Sequence, residues 1–205
     1  MATQKIYDVT IIGGGIVGVA TAYKIQLKYP HLKILLIEKE RQLAAHQTGN
    51  NSGVIHSGLY YKPGSSKAKN CVDGRKQLVK FAKEHGIPHD VCGKVVVATD
   101  EKELPHLEKI WTHGIENGIE NMQRVTADQI REIEPFCVGS QGIHIGCTGI
   151  IDFRGATEKM AEIAKAQQPE SEVHVGEEAL EFSRDGSISI IKTNTSVYRS
   201  RFMIF

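Results

Sequence analysis

Residues 7–38 read YDVTIIGGGIVGVATAYKIQLKYPHLKILLIE, and this stretch decides the fold. Val9, Thr10, Ile11 and Ile12 form a short apolar, β-branched run, the composition of a buried strand. Gly13 to Gly18 follow as G-x-G-x-x-G. A helical pattern then runs to Tyr29, where Pro30 stops it. Lys33 to Ile37 is a second apolar strand, closed by Glu38. Strand, glycine turn, helix, strand and acid in this order predict a dinucleotide site. Gly13 permits the tight turn out of the first strand. Gly15, with no side chain, admits a pyrophosphate to the backbone, and Gly18 lets helix and strand pack closely. The first-turn amides, Ile16 among them, point at the phosphates, where the helix dipole favours an anion. Glu38 stands 20 residues after Gly18, placed to accept hydrogen bonds from the adenosine ribose. The motif does not separate FAD from NAD.

The 205 residues carry 25 basic and 24 acidic side chains, a net charge of +1, so no face is declared for nucleic acid or an anionic membrane. Hydrophobic content of 40% with 20 glycines is ordinary for a globular α/β enzyme. No apolar run reaches the ~20 residues of a membrane span. The first strand begins close to Met1, which leaves no room for a signal peptide. A cytoplasmic protein is expected, or one whose targeting segment is missing from this sequence. Cys71, Cys92, Cys137 and Cys147 form no C-x-x-C pair and are expected to be buried free thiols. The nine histidines show no ligand spacing, so no metal is expected.

Beyond Glu38 the chain is a polar loop with a short helical piece. In the first helix Val17, Ala20, Thr21, Ala22, Ile25 and Leu27 are the inward candidates. Gln47 to Tyr61 reads QTGNNSGVIHSGLYY, a segment of small polar residues and glycines suited to a ligand laid against the main chain. Helices are predicted over Ser66–Gly86, Glu101–Asn117 and Arg154–Gln167, with a short one capped by Thr126 and Gln129 and stopped by Pro135. Strands are predicted at Lys94–Thr99 and Glu172–Val175, and Ile143–Ile145 and Gly149–Phe153 form two more around a turn. Leu180–Ser183, Ile188–Thr193 and Val197–Phe205 are expected as successive antiparallel strands, turning at Asp185-Gly186 and Asn194-Thr195. The last strand is apolar to its final residue. A chain cut short is therefore expected, with an unpaired strand left at an exposed sheet edge.

The run from Gly13 to Gly18, then Glu38-Lys39-Glu40, then His46 to Gly64, resembles L-2-hydroxyglutarate dehydrogenase/oxidase, a flavoprotein of the D-amino-acid-oxidase-like superfamily. Cys92-Gly93-Lys94, Glu134-Pro135 and Thr148 to Arg154 match as well, so the resemblance covers nearly the whole chain. One departure is Asn50, where the family usually has histidine. The resemblance implies an α/β fold: a Rossmann-like, glutathione-reductase-type FAD-binding domain with part of an antiparallel-sheet substrate domain. The implied division is 5–65 for the βαβ unit and flavin loop, 90–150 for a partial substrate-domain insertion, and 151–205 for the return to the FAD domain. Family members are roughly twice this length. In them the last strand leads into a turn back to the cofactor and then most of the substrate-binding sheet.

The activity implied is FAD-dependent oxidation of L-2-hydroxyglutarate to 2-oxoglutarate, by hydride transfer from C2 to flavin N5. The electron acceptor is oxygen, a quinone or a flavoprotein carrier, and peripheral membrane association is compatible with that. A bacterial protein would be cytoplasmic, and a eukaryotic one mitochondrial. The implied cofactor contacts are Gly13, Gly15, Ile16, Gly18, Glu38, Lys39, Thr48, Asn51, Ser52 and Gly53, with Ala179 beside adenine. His56 is the candidate base, since histidine titrates near neutral pH, and a structural histidine in a turn is the competing reading. Lys67, Lys69 and Arg75 are candidate partners for substrate carboxylates. Three other readings stay open: a related flavoenzyme acting on an amino acid or glycerol phosphate, a catalytically silent FAD-binding fragment, and an NAD enzyme.

Overall fold

The computed structural model describes residues 5–205. The chain runs β1 (Ile6–Ile12), α1 (Ile16–Lys28), β2 (Ile34–Glu38), β3 (Val54–Ile55), α2 (Ser66–His85), β4 (His89–Asp90) and β5 (Lys94–Ala98). A 3-10 turn (Glu101–Glu103), α3 (Leu104–Glu116), β6 (Met122–Thr126), α4 (Ala127–Ile133), β7 (Gln141–Ile145) and β8 (Gly149–Ile151) follow. The chain closes with α5 (Phe153–Gln167), β9 (Glu172–Val175), β10 (Ala179–Asp185), β11 (Ile188–Thr193) and β12 (Val197–Ile204). It divides into two compact units. The residues up to Asn51 with Phe153–Phe205 form the first, and Ser52–Asp152 form the second.

The first unit is built on a six-stranded sheet in the order β10-β11-β12-β1-β2-β9. The four strands from β12 to β9 are parallel, and β10, β11 and β12 are antiparallel. β2 is buried on both faces, which is why its sequence is a continuous apolar run. Ile34 and Leu36 pack with Val9, Ile11, Val19 and Ala161, while Leu35 and Ile37 pack with Tyr7 and Ile191 on the other side. α1 and α5 lie against each other.

Two expectations fail here, each for a physical reason. The final strand is not a sheet edge: β12 sits between β11 and β1, and the edges are β10 and β9. It is paired on both sides, although Phe202 and Phe205 remain 68% and 75% exposed. In α1, Val17 is 79% and Leu27 48% exposed, and the inner position goes to Gln26 with 0% exposure. A buried amide is tolerated because it is bonded. Its Nε2 donates to the carbonyls of Pro30 at 3.2 Å and Leu32 at 3.1 Å, and its Oε1 accepts from Ser171 Oγ at 3.0 Å. Ser171 Oγ accepts in turn from the Ile34 amide at 2.9 Å. Helical periodicity cannot see such a network, because it counts apolar side chains only.

The second unit holds two three-stranded antiparallel sheets, β3-β8-β4 and β5-β7-β6. α3 covers the latter with Leu107 and Ile110 against Ile143 and Ile145. Ile143–Ile145 and Gly149–Phe153 were expected as strands around a turn; β7 and β8 do flank one, and they join different sheets. Val54 and Ile55 pair with Ile150 and Gly149, so the chain enters the second unit directly after Asn51, earlier than the expected bounds of 65 and 90. α2 is capped by the Ser65 hydroxyl and ends at Gly86, whose φ of 67° is left-handed. Thr126 and Gln129 close a capping box at the start of α4. The cysteines are free, but only Cys147 is buried, and Cys92 is exposed.

Candidate functional site

The glycine turn after β1 is shaped by close backbone approaches. Gly13 has φ 115°, and its amide donates to the Ile37 carbonyl at 2.8 Å. A Cβ on Gly18 would lie 2.1 Å from the Gly13 carbonyl oxygen, so helix and turn touch only because no side chain intervenes. Gly14, a position the motif leaves open, is equally constrained: a Cβ there would meet Leu43 Cδ2 at 2.6 Å and Glu38 Cβ at 2.9 Å. The sign of this in the sequence was the third consecutive glycine. Gly15 is the N-cap of α1, which has no acidic residue in its first turn. Its opening amides have no carbonyl one turn earlier to bond. The Ile16 amide donates to Thr48 Oγ1 at 3.0 Å, so the loop supplies a cap that the helix lacks.

Glu38 closes β2 and turns back onto the glycine turn. Its Oε2 accepts from the Gly14 amide at 2.6 Å and its Oε1 from the Glu40 amide at 2.8 Å. The loop beyond is held by the Ala44 amide on the Gly14 carbonyl at 3.0 Å, with Ala44 itself left-handed at φ 56°. His46 Nε2 lies 2.9 Å from Glu40 Oε1. Asn50, the departure from the family pattern, folds onto its own loop and donates to the carbonyls of Ala45 at 2.8 Å and His46 at 2.9 Å. Asn51 likewise donates to the carbonyls of Gln47 and Thr48. A Cβ on Gly49 would meet the Ala44 carbonyl oxygen at 2.2 Å and the Arg154 guanidinium at 2.9 Å, so glycine is needed there too.

Opposite Glu38, the segment between β9 and β10 is fastened by a buried carboxylate that the sequence reading missed. The Glu177 amide donates to the Glu38 carbonyl at 2.9 Å, and the Gly176 amide to that of Glu40 at 2.6 Å. Glu177 Oε1 accepts from the hydroxyls of Thr193 and Thr195, and Oε2 from Tyr198 at 3.0 Å. His174 Nδ1 stands 2.9 Å from the same Oε2, and its Nε2 stands 2.8 Å from Glu172 Oε2. Burial opposes the charge on Glu177, yet the bonds from Thr193, Thr195, His174 and Tyr198 outweigh it and hold the carboxyl below its ordinary value. Glu172 is pulled down to about 2, first by Lys5 and against the cost of burial, with His174 and Tyr7 adding to the pull. No periodic pattern marks Glu177, because its partners come from three separate stretches of chain.

Gly13, Gly15, Glu38, Lys39, Thr48 and Ala179 line one cleft of about 390 Å³. The cleft pairs a side-chain-free helix start with a carboxylate at the strand end. That donor and acceptor set fits a dinucleotide: amides for the pyrophosphate and Glu38 for the ribose. Ile16, Gly18 and Asn51 are not among the residues that line it. Ser52 and Gly53 belong to the second unit, where Gly53 has φ 68° and its carbonyl accepts from the Ile151 amide at 2.9 Å.

His56 also lies in the second unit, exposed, just after β3. Among the described residues its ring has no hydrogen-bond partner, so nothing supports a structural role in a turn; its carbonyl accepts from Cys71 Sγ at 3.4 Å. Arg75 is buried, with Nη1 donating to the Cys147 carbonyl at 3.1 Å and Nη2 2.8 Å from Glu120 Oε1. It is thus committed to the fold. Lys69 is exposed, and Lys67, also exposed, lies 5.8 Å from the Tyr61 ring centroid.

Residues 8–204 match the family described as FAD dependent oxidoreductase. An L-2-hydroxyglutarate dehydrogenase of Indibacter alkaliphilus is 45% identical over 198 residues, 97% of this chain and 49% of its own length. The mitochondrial L-2-hydroxyglutarate dehydrogenase of Homo sapiens is 43% identical over 161 residues, 78% of this chain and 35% of its own. The solved structure of L-alpha-glycerophosphate oxidase from Mycoplasma pneumoniae with FAD bound aligns at a TM-score of 0.87 and 28% identity, over 98% of this chain and 53% of that one. Glycine oxidase from Geobacillus kaustophilus aligns at 0.79 and 19% identity over 98% of this chain and 55% of that one, a likeness of fold alone. The chain spans about half the length, or less, of these relatives. No helix among the described residues is long and apolar enough to cross a membrane.

Proposed function

The chain belongs to the FAD dependent oxidoreductase family, and from that membership we propose that it serves the oxidation of L-2-hydroxyglutarate to 2-oxoglutarate. The observation that carries this reading is the 45% identity to an L-2-hydroxyglutarate dehydrogenase over 97% of the chain. On this reading the turn from Gly13 to Gly18 holds the pyrophosphate, Glu38 the ribose, and the backbone near Ala179 the adenine, with Lys39 and Thr48 completing the wall. Asn51, Ser52 and Gly53 continue the binding run toward the ring system. When bound, FAD supplies a two-electron acceptor at N5 for the hydride that leaves substrate C2. His56 takes the hydroxyl proton, so the carbon–oxygen double bond forms as the hydride departs. An exposed imidazole with no internal partner is free to accept it. The electrons then pass to oxygen, a quinone or a flavoprotein carrier.

A related flavoenzyme acting on glycerol phosphate is the second reading, favoured by the 0.87 TM-score to the glycerophosphate oxidase. Turnover separates the two. FAD-loaded protein is given L-2-hydroxyglutarate, glycerol 3-phosphate and glycine in turn with a dye acceptor. The proposal expects kcat/KM for the hydroxy diacid to exceed the others by at least about 100-fold. Preference for either alternative would overturn it.

A further inference from the structure

We propose that the Lys94 ammonium receives one carboxylate of the diacid substrate, with the Tyr60 ring as its platform; this rests on the substrate reading above. Lys94 opens β5 directly after Gly93, whose φ is 81°. A Cβ on Gly93 would meet His144 Nε2 at 2.6 Å, so the strand start is held closely against β7. The Lys94 side chain is partly buried, and its Nζ stands 4.7 Å from the Tyr60 ring centroid. A π face holds an ammonium in place without neutralising it.

No carboxylate among the described residues lies within ion-pair distance of Lys94. Its charged neighbourhood supplies no anion either. Burial pushes the Cys71 and Cys147 thiols up, and the Tyr60 phenol with them, so all three are neutral near pH 7. Burial also holds Lys94 below the ordinary lysine range, against opposing pulls from Cys147 and Cys71. The other cations of this unit face an acid or stand exposed, as Lys62, Lys69, Lys83, Lys102 and Lys109 do. Arg75, Lys76, Lys80, Arg124 and Arg131 face acids, and Lys67 sits in water over Tyr61. Lys94 combines partial desolvation with a missing counter-charge. A buried cation is costly unless it is paired, so the fold alone gives no reason for this arrangement. A carboxylate arriving from outside completes the pair and recovers that cost.

The test uses glutarate, which has both carboxylates but no hydroxyl to oxidise. FAD-loaded protein is labelled at pH 8 with an amine-directed reagent at constant ionic strength, and the rate at each lysine is read by peptide mass spectrometry. Lys94 should label faster than the exposed lysines. Glutarate should slow Lys94 at least fivefold while leaving Lys67 and Lys80 unchanged, and acetate should do less. In parallel, Lys94→Met should raise KM for L-2-hydroxyglutarate about 10- to 100-fold, the scale of a charge-assisted hydrogen bond, with FAD affinity unchanged. Lys94→Arg should recover part of it. Turnover by the unaltered protein with Lys94 unprotected, or an unchanged KM in Lys94→Met, overturns the proposal while the substrate reading stands. Protection by glutarate without turnover of L-2-hydroxyglutarate supports the diacid site and overturns the substrate reading instead. Neither turnover nor protection overturns both.

Discussion

The Glu38 carboxylate accepts the Gly14 amide at 2.6 Å through one oxygen and the Glu40 amide at 2.8 Å through the other. Strand end, glycine turn and following loop are thereby locked through a single side chain, so the acid stands in position before any ligand arrives. Preorganisation of this kind lowers the ordering cost of binding. Glu38→Gln keeps one acceptor and loses the charge. Its FAD affinity should fall about 10- to 100-fold, the worth of about 1.5–3 kcal/mol for a charged hydrogen bond. Titration of flavin fluorescence measures it, and ADP affinity should fall in parallel because the adenosine half carries the contact. Unchanged ADP affinity would place Glu38 outside the site.

Gly18 and Gly74 make opposite predictions from the same substitution. A Cβ at Gly18 would sit 2.1 Å from a backbone oxygen, whereas at Gly74, inside α2, it would meet nothing within 4 Å. Gly18→Ala should cost about 3 kcal/mol or more through forced backbone movement. Gly74→Ala should add about 0.5–1 kcal/mol by restricting the unfolded chain and favouring helix. Urea midpoints of the two variants check both signs.

Much of this was legible in the sequence. The β1–α1–β2 unit announces itself because parallel central strands need unbroken apolar runs, and a close turn needs glycines at fixed spacing. The capping box of Thr126 and Gln129 and the stop at Gly86 are local chemistry and were readable for that reason. Features made by distant partners were not. Glu177 binds hydroxyls from Thr193, Thr195 and Tyr198, and Gln26 is inside because Ser171, far along the chain, donates its hydroxyl to the Gln26 side-chain oxygen. β12 looked like an edge because its neighbour β1 lies at the other end of the sequence. Arg75 looked available because Glu120 is distant in sequence.

Acid should weaken the first unit in a defined window. The Glu172 carboxyl titrates near 4.5 in the unfolded chain and near 2 in the folded one, where Lys5 holds it charged. The unfolded chain therefore binds the proton first. The stabilisation from this group is complete above about pH 4.5 and drains away as pH falls toward 2. Glu177, also depressed, adds to the same trend. Glu172→Gln should flatten the slope of stability against pH between 4.5 and 2, measured by urea unfolding. An unchanged slope would show that the pair with Lys5 contributes nothing, as exposed pairs often do.

His56 should affect chemistry and spare cofactor binding. His56→Gln should slow flavin reduction about 10²- to 10⁴-fold, the usual worth of a positioned base. FAD affinity should stay within a factor of two. A flavin-reduction rate identical to that of the unaltered protein would exclude His56 as the base.

The central claim is most directly tested by the visible spectrum of the purified 205-residue protein before and after L-2-hydroxyglutarate is added without oxygen. The account predicts a bound-flavin spectrum that bleaches on addition, with 2-oxoglutarate formed in equal amount to the flavin reduced. A protein that binds flavin but stays oxidised with this substrate, or that binds none, would contradict it.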